Sequence, residues 1–291
     1  MFQGQDQLYT RLPLKNSLSI IGGGKVGRTL GRLWVDARCV VLVDVVNRSP
    51  HSAQEAALFI GAGRPIDSYG DLQPADIYLI ATPDDHIEQS CHTLAETGVL
   101  NSASIVFHCS GAKSASILRA AAQCGAAVAS IHPIRSFASP EQLIADFAGT
   151  YCGAEGDPRA LATLNKLFAA IGATLVAIDS ECKILYHAAA VFASNYLVTL
   201  LDAAQQAYIE AGVAPDTALK LMEPLVRATV DNVFRLGPAP ALTGPIARGD
   251  LATVRVQQQA VTDWQSGYGD LYREFAKLTM ELAARRKTES K

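Results

Sequence analysis

Short runs of apolar residues alternate with helical patterns over the first 178 residues of the chain. The runs bounded most clearly by polar or glycine residues are 17–21, 39–46, 76–82, 104–109 and 127–131, and two weaker ones lie at 149–153 and 173–178. Helical periodicity fills the gaps at 28–35, 50–60, 114–123 and 158–171. Continuous apolar strands between helices predict a parallel sheet that is covered on both faces.

The strand pattern stops near residue 179. Helical patterns cover the rest of the chain at 180–211, 215–235, 245–266 and 268–287, and Pro224 is expected to kink the second of them. We therefore predict an α/β fold, a Rossmann doubly wound, mostly parallel sheet over 16–178, followed by an all-helical domain over 179–291 for substrate binding and dimerisation.

Residues 184–201 form the most apolar segment and contain no Asp, Glu, Lys or Arg. The length approaches that of a membrane span. The segment also contains His187, Ser194, Asn195 and many alanines, so a central buried helix is the preferred interpretation. Because one small domain covers little of such a helix, we also predict a homodimer through the helical domain.

A glycine motif links the first strand to the first helix. Gly22, Gly24 and Gly27 have the G-x-G-x-x-G spacing, with Lys25 and Val26 between the last two. Glycines at these positions permit a tight turn, close approach to a pyrophosphate and tight helix–strand packing. The helix N-terminus adds free N–H groups for phosphates. The motif predicts a dinucleotide site.

The end of the second strand bears on which dinucleotide binds. Asp44 would suit the ribose of NAD, but the β-branched run continues past it, which places Asn47, Arg48 and Ser49 at the strand end. A neutral residue followed by arginine favours a 2′-phosphate, so NADP is predicted and NAD and FAD are less favoured. The alternative is that Arg48 is a solvated turn residue.

Three later strands end in residues that the sheet should bring to the cofactor. Ala81, Thr82 and Pro83 are expected to pass over the ribose and pyrophosphate, and Ser110 and His132 to lie near the nicotinamide. Ser110 could instead cap a helix. His132 could be a hydrogen-bonded structural histidine.

Lys183 and His187 lie four residues apart near the start of the long helix that follows the last strand, and they share one helix face. A lysine in an apolar crevice can donate or accept a proton, with the histidine beside it. Asn195, a further catalytic candidate, lies eight residues after His187 and off that face, so it is expected to contact a different part of the site or to cap an internal polar network. The alternative for Lys183 is an amine that extends to solvent from a buried stem.

A second polar cluster lies at 241–250, ALTGPIARGD. Thr243 is predicted to cap a helix starting at Pro245, with Arg248 and Asp250 in its first turns. An arginine at a helix start suits an anionic substrate, and a surface Arg–Asp pair is the equal alternative.

Composition excludes several classes of protein. The net charge of −3 argues against a nucleic-acid partner, and 49% hydrophobic residues argue against disorder. Six cysteines without a C-x-x-C pair predict buried thiols in a reducing cytoplasm, and residues 1–15 lack the apolar core of a signal peptide. No metal-binding motif occurs, so a metal site is not predicted. The G-x-S-x-G motif is also absent, so a Ser–His–Asp hydrolase is not supported.

Taken together, the motifs GGGKVG, FHCSGAKSA, SIHPIRSF, KILYHAAAVFASNY and LTGPIARGD resemble a family of Rossmann-like NADP oxidoreductases with a C-terminal domain of unknown function. The wider group is similar to pyrroline-5-carboxylate reductase, ketopantoate reductase, 3-hydroxyisobutyrate and 6-phosphogluconate dehydrogenases and prephenate dehydrogenase. The resemblance implies a dimer built on the helical domain.

The resemblance also implies roles for single residues. Lys183 matches the catalytic lysine of the 3-hydroxyacid dehydrogenases, but His187 stands where their motif has asparagine. His132-Pro133 resembles the His-Pro of prephenate dehydrogenase, and Thr243-Gly244-Pro245 loosely resembles a loop of pyrroline-5-carboxylate reductase. None of these matches names a substrate.

The sequence thus predicts hydride transfer between NADP and a small carbonyl, hydroxy-acid or imine substrate in an interdomain cleft. Deazaflavin as the hydride partner stays open. The alternative is a non-catalytic NADP sensor or assembly module, which would not need Lys183, His187, His132 and Arg248 to converge.

Overall fold

The computed structural model describes residues 15–289. The chain divides into two compact units, with the division between Val191 and Phe192. The helix that begins just after the predicted boundary at residue 179 is therefore part of the sheet-containing unit. Most of the N-terminal segment on which the localisation prediction rests lies outside the described residues.

One eight-stranded sheet forms the centre of the first unit, with the order β3-β2-β1-β4-β5-β6-β7-β8. The strands are β1 Asn16–Ile21, β2 Val40–Val46, β3 Arg64–Ile66, β4 Ile77–Ile80, β5 Ile105–His108, β6 Ala127–Pro133, β7 Tyr151–Gly156 and β8 Thr174–Ala177. β7 pairs antiparallel with β6, and the other neighbours are parallel. The predicted mostly parallel sheet is confirmed, and β3 is an addition to it.

Seven helices accompany the sheet: α1 Lys25–Asp36, α2 Pro50–Ile60, α3 Ile87–Glu96, α4 Arg119–Gln123, α5 Pro140–Asp146, α6 Pro158–Ala169 and α7 Lys183–Ala193. Apolar residues of α1, α2, α5 and α6 pack on one face of the sheet, where Trp34, Phe107 and Phe168 form an edge-to-face aromatic cluster. α3 and α4 cover the other face. Burial on both faces explains why the strands are continuously apolar.

Local capping chemistry sets where several helices begin. Ser49 caps α2 by accepting a hydrogen bond from the Ser52 N–H, and Asp157 caps α6 by accepting one from the Arg159 N–H. Proline occupies the first turn of both helices, where no N–H is needed. Such signals lie next to the helices they start, which is why the predicted bounds of α2 agree with the structure.

The second unit contains helices only, within residues 192–289: α8 Asn195–Glu210, α9 Pro215–Leu236, α10 Pro238–Ala241, α11 Pro245–Arg248, α12 Leu251–Trp264 and α13 Ser266–Glu289. The predicted single helix 180–211 is divided at Ser194, whose φ of −125° and ψ of −70° leave the helical region. α9 continues through Pro224 as one 22-residue helix.

The prediction that residues 184–201 are a buried helix is wrong for the single chain. Leu185, Phe192 and Val198 are each about 70% exposed, at 73%, 70% and 68%. By length and composition, Ser180–Glu210 could cross a membrane, and none of its most apolar window is buried in the fold. Residues 15–289 of one chain do not cover this surface.

All six cysteines are free thiols. Cys91 and Cys152 are buried, and burial raises the pKa of Cys152 to about 12. Cys124 and Cys182 are exposed, so the prediction that the cysteines are buried is wrong for these two.

Candidate functional site

The glycine turn between β1 and α1 has the geometry that a bound pyrophosphate requires. Gly22 has a φ of +98°, and a Cβ there would lie 2.7 Å from the backbone of Ala81 and Thr82. A Cβ on Gly27 would press on the Gly22 carbonyl, so both positions exclude larger residues. At Gly24, the N-cap of α1, no described atom lies within 4 Å of a built Cβ. That open backbone faces the space a phosphate would fill.

The end of β2 was correctly placed after Asp44, because the strand continues to Val46. Asp44 is buried, where it pairs with Arg64 at 2.9 Å and accepts the Gln73 N–H at 2.8 Å. Its carboxylate is thus occupied inside the protein and does not face a ribose.

Two of the three residues predicted to meet the adenosine ribose already have structural partners. Asn47 accepts the Gly23 N–H and donates to the Ser52 carbonyl, which ties the glycine turn to the start of α2. Ser49 is the α2 cap. Arg48 is exposed, between these two anchored neighbours.

The remaining predicted cofactor residues border the same turn. The Ala81 N–H donates to the Ile21 carbonyl, Thr82 is partly buried and Pro83 is exposed. Lys25 donates to the Ala138 carbonyl at 2.8 Å, and Val26 packs against the core. These residues fit a dinucleotide: a glycine turn with open space, a helix start and a strand end converge.

A row of polar side chains crosses three strands on the face that α3 and α4 cover elsewhere. His108 of β5 is the register partner of Ser130 in β6, and Ser130 is the partner of Glu155 in β7. Their neighbours one residue away, such as Phe107 and Ala129, point to the opposite, apolar face. All three are buried.

Lys183, at the start of α7, completes this row. The amine contacts Ser130 Oγ and lies 3.1 Å from Glu155 Oε1, and only 2% of the side chain is exposed. Burial lowers the pKa of Lys183, while the hydrogen bond and charge of Glu155 oppose that change. The predicted arrangement, with the amine at the mouth of a crevice, is not observed. Lys183 is held in a buried ion pair that attaches α7 to the sheet.

Ser110 is a structural centre of the loop after β5. Its hydroxyl donates to Asp84 Oδ2 at 2.7 Å and accepts the N–H groups of Ala112 and Lys113. Its N–H donates to His108 Nδ1 at 3.1 Å. The hydroxyl is therefore fully used in holding two loops together, which corrects the prediction that it faces substrate. Ser110 does not cap a helix either, because the next helical turn begins at Ala115 with Ser114 as its cap.

His132 and His187, by contrast, converge. Their ring centroids are 5.5 Å apart and the rings are nearly perpendicular. A Cβ on Gly111 would lie 2.9 Å from His132 Nε2 and closer still to His187 Nδ1. His187 Nδ1 is buried and has no hydrogen-bond partner among residues 15–289. Two imidazole nitrogens therefore meet beside a glycine that leaves them room.

Tyr186 adjoins the same pair. Its Oη lies 3.1 Å from His132 Nδ1, and the two rings meet edge to face. Gly153, the register partner of His132 in β7, makes this contact possible, because a Cβ there would collide with the phenol oxygen.

The protonation of this site follows from burial. Burial, with smaller contributions from His187 and Lys183, lowers the pKa of His132 to about 4, so the imidazole is neutral near pH 7. The pKa of His108 is lowered to about 4, chiefly by burial. Burial also raises the pKa of Tyr186, which keeps the phenol protonated.

The predicted site residues of the second unit lie at or near the ends of its helices. Thr243 is exposed, and Gly244, not Thr243, is the N-cap of α11, without a side-chain cap. Arg248 ends α11, and Asp250 caps α12 by accepting the Thr253 N–H. Asn195 is the exposed first residue of α8. The predicted start at Pro245 is observed, but the cap prediction for Thr243 is wrong. Asp250 lies outside the predicted helix, because α11 ends after one turn at Arg248.

Within residues 15–289, no cluster of three or more histidine, cysteine or acidic side chains has the geometry to hold a metal ion.

Comparison with known proteins identifies two domain families in the chain. The Rossmann-like domain family matches residues 4–133, and the domain of unknown function DUF2520 matches residues 150–279. The chain belongs to the Rossmann-like proteins that carry this C-terminal domain. No curated protein sequence matches it.

Solved structures with the same architecture span nearly the whole chain. Protein TM1727 from Thermotoga maritima is 28% identical, with a TM-score of 0.72 over 93% of this chain and 99% of that one. BF3122 from Bacteroides fragilis, described as an NADP oxidoreductase, is 20% identical, with a TM-score of 0.73 over 92% and 98%. Pyrroline carboxylate reductase from Plasmodium falciparum, solved with NADP, is 12% identical, with a TM-score of 0.57 over 92% and 98%. At 20% and 12% identity the last two show the fold.

Sequence reasoning missed several residues of this site: Asp84, His108, Gly111, Gly153, Glu155 and Tyr186. Two signals were available for part of the set. Glu155 is an acid inside an otherwise small and apolar strand, YCGAEG, and such a charge needs a buried partner. Tyr186 lies within KILYHAAA, one residue before His187. Gly111 and Gly153 have no such local signal.

Proposed function

We propose that the protein is an oxidoreductase that transfers hydride between NADP and a small carbonyl, hydroxy-acid or imine substrate. The observation that carries the proposal is the pair of converging imidazoles, His132 and His187, on a dinucleotide-binding fold. His132 lies at the carboxyl end of β6, on the edge where ligands of such sheets bind, and α7 brings His187 beside it. Buried polar atoms usually have a hydrogen-bond partner, so the unpartnered Nδ1 of His187 suits a site that receives a ligand.

When bound, a nicotinamide dinucleotide supplies or removes the hydride at the reacting carbon. The protein must then move a proton at the substrate oxygen or nitrogen. His132 is placed for that step, because it is partly exposed, neutral near pH 7 and has Nε2 directed away from Tyr186. His187 Nδ1 offers an acceptor beside it.

The geometry gives Lys183 a different part from the one its resemblance implies. Its amine is paired with Glu155, and it anchors the helix on which Tyr186 and His187 stand one turn later. We therefore assign proton transfer to His132 and assign Lys183 to positioning α7.

NADP is the proposed cofactor, in preference to NAD. Asp44 is occupied by Arg64, so it does not recruit a ribose hydroxyl, and Arg48 is exposed and free to meet a 2′-phosphate. Asn47 supports this site by holding the turn that leads to Arg48.

We further propose that the protein works in the cytoplasm as a homodimer formed through the apolar surface of α7 and α8. The exposed large side chains on these helices include Leu185, Phe192 and Val198. A second copy of the chain would cover these side chains. A membrane would cover them too, but it would place the polar residues His187 and Asn195 in lipid.

An anionic substrate is also proposed, because the exposed Arg248 could pair with it.

The test is turnover by the purified full chain with NADPH and NADP against 2-oxo acids, 3-hydroxy acids and cyclic imines, followed by nicotinamide absorbance. His132→Asn should lower the rate by about a hundredfold to ten-thousandfold while NADP affinity is kept. Exposed His51, on α2, provides the matched control His51→Asn, which should keep wild-type turnover.

The second candidate is a non-catalytic NADP sensor. It would bind NADP and show no turnover with any class of substrate, and it would tolerate His132→Asn without a change in NADP binding. The unpartnered His187 nitrogen favours the enzyme, because a sensor does not require it.

A further inference from the structure

Tyr186 is part of no predicted site, yet its hydroxyl makes the side-chain contact to His132 Nδ1 in the structure. We propose that Tyr186 is a positioning residue that donates its hydroxyl proton to His132 Nδ1 and thereby keeps the other nitrogen, Nε2, as the protonated one. The inference rests on the proposed function, since it specifies how His132 would meet substrate.

The direction of this hydrogen bond follows from acid strength. A phenol has a pKa near 10, whereas the N–H of a neutral imidazole is a far weaker acid, and an imidazole nitrogen is the better acceptor. Burial keeps Tyr186 protonated and His132 neutral, so both partners hold the forms that favour O–H to N donation. Both side chains of the hydrogen bond are therefore uncharged in the free protein.

The surroundings of the phenol support the same direction. The Gly153 backbone lies against the Tyr186 oxygen and lowers the pKa of the phenol, but burial raises that pKa by more, so the hydroxyl keeps its proton for His132. The absence of a side chain at Gly153 is required, because a Cβ would occupy the position of the phenol oxygen.

The consequence lies at the opposite nitrogen of the ring. If Nδ1 accepts from Tyr186, Nε2 must carry the proton, and Nε2 lies on the Gly111 side together with His187 Nδ1. The Tyr186 hydroxyl then donates to His132 Nδ1, and the N–H at Nε2 is left to donate to a substrate oxygen or nitrogen. His132 thus presents a donor, which suits polarisation of a carbonyl or imine acceptor.

Three charged or titratable groups act on His132 besides Tyr186. His187 and Lys183 lower its pKa, and Asp84 raises it. Lys183 is paired with Glu155 and Asp84 accepts from Ser110, so neither is free to take the place of Tyr186 at Nδ1.

Nitrogen-15 NMR of the histidine side chains tests the inference in the free protein, without cofactor or substrate. His132 signals can be identified by their loss in His132→Asn. The wild-type protein should show a protonated Nε2 and an unprotonated Nδ1 at pH 7. A protonated Nδ1 in the wild type would overturn the inference.

Tyr186→Phe removes only the hydroxyl and should move the His132 signals towards a mixture of both tautomers. Once a substrate is known, it should lower kcat by about tenfold to hundredfold, as loss of an orienting partner does elsewhere. The matched control is Tyr151→Phe, because Tyr151 is 59% exposed on β7, and it should change neither readout.

Gly153→Ala provides a second variant that keeps the hydroxyl but displaces it, and should reproduce the NMR change of Tyr186→Phe. Unchanged His132 signals in Tyr186→Phe would overturn the inference. Because the tautomer is measured without turnover, its failure is distinct from failure of the proposed oxidoreductase function, which would appear as absent turnover with the tautomer as expected.

Discussion

Gly111 and His187 pack so closely that a Cβ atom on Gly111 would lie less than 3.0 Å from His187 Nδ1. The same Cβ would lie 2.9 Å from His132 Nε2. Glycine at this position is therefore what allows two imidazole nitrogens to approach each other at the edge of the sheet. Gly111 and His187 are 76 residues apart in the sequence.

Gly111→Ala should displace both rings and destabilise the protein by about 1–3 kcal/mol, the usual range for overpacking. The histidine NMR signals of His132 and His187 should both move. Gly267→Ala is the control, because no described atom lies within 4 Å of a Cβ there and the residue is exposed. Signals that stay unchanged in Gly111→Ala would mean that the rings do not pack against this glycine.

Breaking the buried ion pair should be costly. Lys183→Met and Glu155→Gln should each lower the free energy of unfolding by about 3–5 kcal/mol, because each leaves a buried group without its partner. The double variant should lose less unfolding free energy than the sum of the losses in the two single variants. Urea unfolding measures all three.

The exposed pair of Arg227 and Glu223 provides the control for that cycle. The side chains are 75% and 59% exposed and lie 2.8 Å apart on one helix. Arg227→Met and Glu223→Gln should cost less than about 1 kcal/mol. Equal, small losses for the buried and exposed pairs would show that Lys183 is not ion-paired in solution.

Acidification should destabilise the fold through His108 and His132. Both imidazoles have a pKa of about 4 in the folded protein, against the ordinary value of 6.5 that a histidine has in the unfolded chain. Between these values the unfolded chain binds more protons, so stability is constant above about pH 6.5 and falls towards pH 4. The loss approaches about 3 kcal/mol per histidine.

The measurement is the free energy of unfolding from urea curves at several pH values. His132→Gln should make the decline shallower, because the residue no longer titrates. His92→Gln on α3 is the control, and it should leave the slope as in the wild type. A pH profile of His132→Gln identical to the wild type would exclude a depressed pKa at His132.

Arg48→Ala should weaken NADP binding by roughly tenfold to hundredfold, the usual worth of a hydrogen bond to a charged group. NAD binding should stay nearly unchanged, because NAD lacks the 2′-phosphate, and it is therefore the internal control. Titration calorimetry with both cofactors measures the difference. Equal losses for NADP and NAD would remove Arg48 from the phosphate site.

Val198→Asp should convert the proposed dimer to a monomer, since a carboxylate would be buried in an apolar interface without a partner. Sedimentation of the wild-type protein and the variant at micromolar concentration measures this. Leu58→Asp on α2 is the control, because Leu58 is 73% exposed on the first unit and should leave the mass unchanged. A monomeric wild type would contradict the proposal.

Local patterns were sufficient for the architecture of this chain. The alternation of apolar runs and helices predicted the sheet, and the valines after Asp44 placed the end of β2 at Val46. The glycine spacing predicted the turn that the structure shows at Gly22, Gly24 and Gly27. Each of these features depends on residues within a few positions of one another, so it is visible in the sequence.

The candidate site depended on pairing that no local pattern contains. Strand β7 runs antiparallel to β6, which places Glu155 opposite Ser130 and Gly153 opposite His132. A shift of one residue in that register would turn each side chain to the other face of the sheet. The sequence alone therefore determined that Lys183, His132 and His187 were polar residues near strand ends. Only the tertiary structure decided that Lys183 is buried against Glu155 and that Tyr186, 54 residues from His132, is its partner.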